Sequence, residues 1–207
     1  MCFSAQASFL AGTGLSLFGI HILKSPHKKK DRYFLAIPLM FGIQQLSEGM
    51  VWVSNTNSAY AQYNTFASYL FLFFAFFAWP IWVPFSLEKM ETNSNIKKRL
   101  FGLFMAGIVV STTIAWMALN LGVAPTISCN HIEYLINWPE VFIFPGITWY
   151  AITTIAPFFI IRKKTFNLFG ILLFFSIIIS GAFYINWFIS VWCFFAALLS
   201  FLIYKIK

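Results

Sequence analysis

Seven apolar stretches, each long enough to cross a bilayer as a helix, follow one another with only short polar segments between them. A helix needs about 20 apolar residues to span the hydrocarbon core. The stretches fall at approximately 5–23, 33–53, 65–87, 100–120, 142–161, 166–184 and 187–204. The last two form an almost continuous apolar run of about 40 residues, roughly 60 Å as a single helix. That is too long for a bilayer, so the run must turn back. Tyr184-Ile185-Asn186-Trp187 is the one place in it with turn chemistry. Only 10% of the chain is charged and 60% is hydrophobic, against about 25% charged in a soluble domain. Backbone polarity in lipid must be satisfied within the segment, which leaves helices as the open-ended solution. The expected fold is all-α, a single domain over residues 1–207 built as a seven-helix transmembrane bundle.

The 14 lysines and arginines lie in residues 24–32, 89–99 and 162–164 and at Lys205 and Lys207. All of these segments fall on one side of the predicted membrane, and the other loops carry none. Cytoplasmic loops are the ones that carry such an excess. The N-terminus is therefore expected outside and the C-terminus in the cytoplasm, in a cell membrane that reads as a bacterial inner membrane. The net charge of +8 suits anionic lipid headgroups at these loops. No basic helix or aromatic RNA-binding pattern accompanies it, so nucleic acid is not an expected partner. The first apolar stretch follows no positively charged segment and precedes its lysines, the reverse of a cleavable signal. It reads as a retained span. Its Ser8, Gly12 and Ser16 make a small-residue ridge suited to close helix contact. Trp79-Pro80, Pro84 and Pro157 predict kinks.

This frame assigns a depth to each polar residue. Glu48 is the one carboxylate inside a predicted span, about one turn from the outer end of the second. Gln44 and Gln45 stand four and three residues before it, on the same helix face. A charged group at this depth faces a cavity or a partner. Two readings stand level: a protonated or hydrogen-bonded glutamate that joins helices, and a ligand-binding face. Gln44, Gln45, Glu48 and Trp192 are the expected ligand-binding residues.

Cys2, Cys129 and Cys193 all fall on or near the outer side. In an oxidising compartment a Cys2–Cys129 disulfide is the leading structural reading, with Cys193 a packed thiol between Trp192 and Phe194. The alternative is a metal site of Cys2, Cys129, His131 and Cys193, for zinc or copper. It gains support only if Ser128-Cys129-Asn130-His131-Ile132-Glu133 is extended, because alternate residues then share a side; on a helix His131 points away from Cys129. Loss of Met1 would also leave Cys2 with a free amine beside its thiol, a chelate or a nucleophile. Asn137-Trp138-Pro139-Glu140 reads as an Asn-led capping box opening the fifth span.

Several chemistries are excluded. No lysine lies mid-membrane in the last span for a retinal, and no span carries a histidine pair for haem or histidines for an intramembrane zinc hydrolase. An arginine series, a P-loop and a G-x-S-x-G elbow are absent. The opening Met1-Cys2-Phe3-Ser4-Ala5, the stretch from Phe41 to Gly49 and Trp192-Cys193-Phe194-Phe195 resemble a bacterial membrane-protein family of unknown function whose members begin MCFSA. That resemblance implies a multi-pass membrane protein and supplies no activity. Three functional readings follow: binding, sensing or transport through a pocket open to the outer side; a thiol-dependent enzyme, redox or acyl-transferring, with Cys2 or Cys193 as nucleophile and Glu48 or His131 as base; and a structural protein held by an outer disulfide.

Overall fold

The structure is a computed structural model and describes residues 4–205. It contains seven helices long and apolar enough to cross a membrane: α1 Ala5–Lys24, α2 Lys29–Thr56, α3 Ser58–Met90, α4 Ser94–Leu121, α5 Glu140–Ile160, α6 Lys164–Phe183 and α7 Ile185–Lys205. Each predicted span has its helix, with ends within seven residues of the expected ones. The reversal between α6 and α7 occurs at Tyr184, where the Trp187 amide donates to the Tyr184 carbonyl at 3.0 Å.

Small residues bring the first two helices together. A side chain added at Gly12 would meet the Leu46 backbone nitrogen at 2.8 Å, and one at Gly19 would meet that of Leu39 at 2.6 Å. Ser16 lies against Gly42 and Ser8 is buried, so the ridge is a packing surface. Without a hydrophobic drive between helices in lipid, such close approach supplies the dispersion that holds them. The same device joins α4 to α3, where Gly107 rests on the Pro80 carbonyl.

The predicted disturbance at Trp79-Pro80 takes a specific form. Residues Phe73–Ala78 widen into a π-helical turn, and the Trp79 amide reaches back to the Phe74 carbonyl. In that register the next donor would be residue 80, aimed at Ala75, but proline has no N–H. The Tyr150 hydroxyl of α5 donates to the Ala75 carbonyl instead, at 2.5 Å. A buried carbonyl stranded by sequence is thus satisfied from another helix, as a membrane interior requires.

One element lies outside the all-helical expectation. Between α4 and α5 the chain forms an antiparallel hairpin, β1 Ala124–Ser128 and β2 His131–Leu135, with Ser128 opposite His131 and Ala124 opposite Leu135. Its two-residue turn is Cys129-Asn130, both at positive φ, 49° and 57°, the backbone of a type I′ turn. The anticipated capping box does not form. Helix α5 begins at Glu140 with Pro139 as its cap and no side-chain cap bond, and Asn137 is exposed. Trp138 precedes a proline, which disfavours the helical conformation there, so the helix cannot start early enough to use Asn137.

Candidate functional site

The face of α2 singled out from sequence is fully interior: Gln44, Gln45 and Glu48 are all buried. Helix α7 faces it. The Ser190 hydroxyl donates to Glu48 Oε1 at 2.5 Å. Three residues further along α7, on the same face, Cys193 lies within electrostatic reach of Glu48 and beside Gln44. From α3, the Trp79 indole donates to Gln44 Oε1 at 2.9 Å, and Phe41 stacks on that indole at 3.9 Å between centroids. The Gln45 amide approaches the Glu48 carboxyl, but its geometry falls short of a hydrogen bond.

Several polar atoms here have no partner. They are Gln44 Nε2, both polar atoms of the Gln45 amide, and the Tyr134 hydroxyl. Tyr134 descends from β2, stacks on Phe71 at 5.0 Å and lies within electrostatic reach of both Glu48 and Cys193; burial pushes its phenol well above the ordinary tyrosine range. A buried unsatisfied polar group costs about 1–3 kcal/mol, so four such atoms around one carboxylate are more than the joining of helices requires.

Tyr134 and Cys193, at the edge of this cluster, also line an open cavity of about 310 Å³ bordered by α3, α4, α5, α6, α7 and the hairpin; Gln44, Gln45 and Glu48 are not part of its wall. Phe76, Ile114, Phe142, Gly146 and Ile177 make much of its wall, while Tyr134, Tyr150, Asn186 and Cys193 supply the polar groups. Ile143, Ile147 and Ile185 are exposed members of the wall and mark its mouth. Trp192 is fixed as a wall: its indole donates to Ser176 Oγ at 3.1 Å, it stacks on Phe188 and meets Tyr150 edge-on. A smaller cavity of about 50 Å³ continues past Tyr150, Trp192 and Cys193 to Trp79 and Phe41. The larger cavity's volume lies at the lower end of the range spanned by small-molecule pockets, which are likewise apolar with a few polar groups.

The expected residues therefore divide. Gln44, Gln45, Glu48 and Cys193 come together, while Trp192 stands in the cavity wall with Cys193. Cys129 does not join them; it is a free, exposed thiol at the hairpin turn. His131 directs Nδ1 to the Cys129 carbonyl at 2.7 Å and stacks on Trp187 at 4.8 Å. The loop is extended, as a metal site there needed, but Cys129 sits in the turn rather than in the strand alternation. Among the described residues no three His, Cys, Asp or Glu side chains gather where a metal ion could be held. Cys2, and with it the Cys2–Cys129 pairing, lies outside the described residues. Sequence reasoning missed Trp79, Ser190, Tyr134 and Tyr150. The Ser190/Cys193 spacing on one helix face was a usable signal for the first of the α7 partners. The alternation of Ile132 and Tyr134 beyond an Asn-containing turn was one for the hairpin.

A family of unknown function (DUF6629) matches over residues 1–207. No curated protein and no solved structure matches the chain.

Proposed function

Because the chain belongs to the DUF6629 family, for which no function is known, its role has to be read from the cavity, and we propose that this integral membrane protein binds a small, mostly apolar molecule carrying one polar group. The apolar body would occupy the cavity between α5, α6 and α7. The polar group would reach past Tyr134 and Cys193 toward Gln44, Gln45 and Glu48. The observation that carries this reading is an apolar cavity lined by the unpartnered Tyr134 hydroxyl and by Cys193, two groups within electrostatic reach of Glu48; Gln44, Gln45 and Glu48 are buried beyond that lining. Gln44 Nε2 and the Tyr134 hydroxyl can donate, and the Gln45 amide can do both. A carbonyl, hydroxyl or amide head would satisfy them, which suits sensing or transport of such a molecule. Placing the lysine-rich end in the cytoplasm puts the cavity mouth at the outer face, in a bacterial inner membrane on this reading.

The test is retention of the ligand through gentle purification. Native mass spectrometry of the full chain is expected to show a bound small molecule, and Ile189→Trp, which fills the cavity, to lose it. Phe174→Trp, on the exposed side of α6, is the control and is expected to keep it. Equal retention by both variants would contradict the proposal.

A further inference from the structure

A second cavity lies at the opposite, lysine-rich end. It measures about 530 Å³ and is lined by three separate connections: α1–α2, α3–α4 and α5–α6. Lys28 comes from the first, Lys30 from the first turn of α2 and Lys163 from the last connection, with His27 and Thr165 beside them. Ile161, Phe166 and Met90 form an apolar floor.

The carboxylates of this cleft offset part of its charge, since Glu91 lies within electrostatic reach of Lys163 and Lys30, but among the described residues neither lysine forms an ion pair with it. Glu91 is turned to its own loop, where Oε1 accepts the Thr92 amide at 2.7 Å and the Asn93 amide at 2.9 Å. Asp31 is the other acid in the wall. Among the described residues the lysine ion pairs are those of Lys89 and Lys97 with Glu88, and neither lysine belongs to the cleft. Lys30 donates to the Met90 carbonyl at 2.9 Å, which fixes its ammonium at the cleft wall and leaves two of its three donors. Helix α6 starts in the same wall, and its cap residue Lys163 makes no side-chain cap bond. Its first-turn amides add donors and the positive end of a helix dipole.

We propose that this cleft binds a phosphate ester, with Lys28, Lys30 and Lys163 as the charge partners and the apolar floor against the ester's carbon skeleton. Two sources share this chemistry: the headgroup of an anionic membrane lipid and a soluble phosphate ester.

The experiment uses the full chain and two probes. In one arm phosphatidylglycerol is added to phosphatidylcholine nanodiscs carrying the protein, and bound lipid is counted by native mass spectrometry. In the other, sn-glycerol 3-phosphate is titrated onto the detergent-solubilised protein. Lys28→Gln/Lys163→Gln is compared with Lys98→Gln/Arg99→Gln, which removes the same charge from exposed positions at the same end but outside the cleft. The cleft variant is expected to weaken binding on the order of fivefold per lysine, and the control much less. Cleft-dependent binding of the lipid alone identifies a headgroup; cleft-dependent binding of glycerol phosphate identifies a soluble ester. Equal losses in the two variants, or no binding of either probe, overturn the proposal. Should the glutamine pair melt early, Lys28→Arg/Lys163→Arg is the second variant, and failure of that charge-conserving pair to bind either probe overturns it as well.

Discussion

At the scale of single residues, two tyrosines define what the interior needs. The Tyr150 hydroxyl supplies the hydrogen bond that Pro80 denies to Ala75, so Tyr150→Phe leaves a buried carbonyl alone. We expect a loss of about 1–3 kcal/mol in unfolding measured in detergent. The Tyr134 hydroxyl is buried with no protein partner, so Tyr134→Phe is expected to be neutral or slightly stabilising in ligand-stripped protein and to weaken ligand retention. A stability loss for Tyr134→Phe matching that of Tyr150→Phe would contradict the distinction. Glu48, Gln44 and Gln45 were legible in the sequence because polarity at membrane depth is conspicuous. Their partners were not. Tryptophan, serine and tyrosine are unremarkable in apolar helices, and only the packing of α3 and α7 onto α2 selects Trp79 and Ser190 from among their kind.

At the scale of elements, close backbone approach sets the helix pairs. A methyl group at Gly107 would drive into the Pro80 carbonyl, whereas Gly102 on the same helix has open space around it. Gly107→Ala is expected to cost about 1–3 kcal/mol. Gly102→Ala is expected to be neutral or to gain up to about 1 kcal/mol from helix propensity; thermal unfolding of the two variants checks the contrast. The Glu91–Asn93 connection carries a pH dependence. The amides of Asn93 and Thr92, with Lys163 and Lys30 nearby, hold the Glu91 carboxyl below its ordinary range. A depressed folded value means that its stabilisation is complete above the unfolded pKa and is lost as pH falls through the folded one. Wild type is therefore expected to lose more stability than Glu91→Gln on acidification below the ordinary carboxylate range, an effect kept small by the solvent around this loop. Apolar length revealed the helices. The hairpin was harder to see, because twelve residues with mixed polarity between two spans read as a loop until both strands are known to pair through a two-residue turn. Capping of α5 was misread because the box pattern at Asn137 ignored the restriction that Pro139 places on Trp138.

At the scale of the whole molecule, the two ends are built differently. Lysine-rich connections surround an open polar cleft at one end. At the other, the hairpin and the α6–α7 turn border a mostly apolar cavity with Tyr134, Tyr150, Asn186 and Cys193 in its wall. If the lysine-rich end is cytoplasmic, Cys129 is outside, and a membrane-impermeant maleimide added to intact cells is expected to label it in a Cys2→Ser background; labelling only after lysis would reverse the orientation. The seven-helix plan could be read directly from the alternation of apolar runs and basic segments, because length and charge are properties of the chain. The cavity could not, since it is the space left between α5, α6, α7 and the hairpin, and no single stretch encodes it. The most direct test of the account is an experimental density map of the protein purified gently into nanodiscs. The account predicts density for a small molecule between Tyr134, Tyr150 and Cys193, with its polar group directed to Gln44 and Gln45. A cavity closed by its own side chains, or one holding only a lipid tail with no polar group near those glutamines, would contradict it.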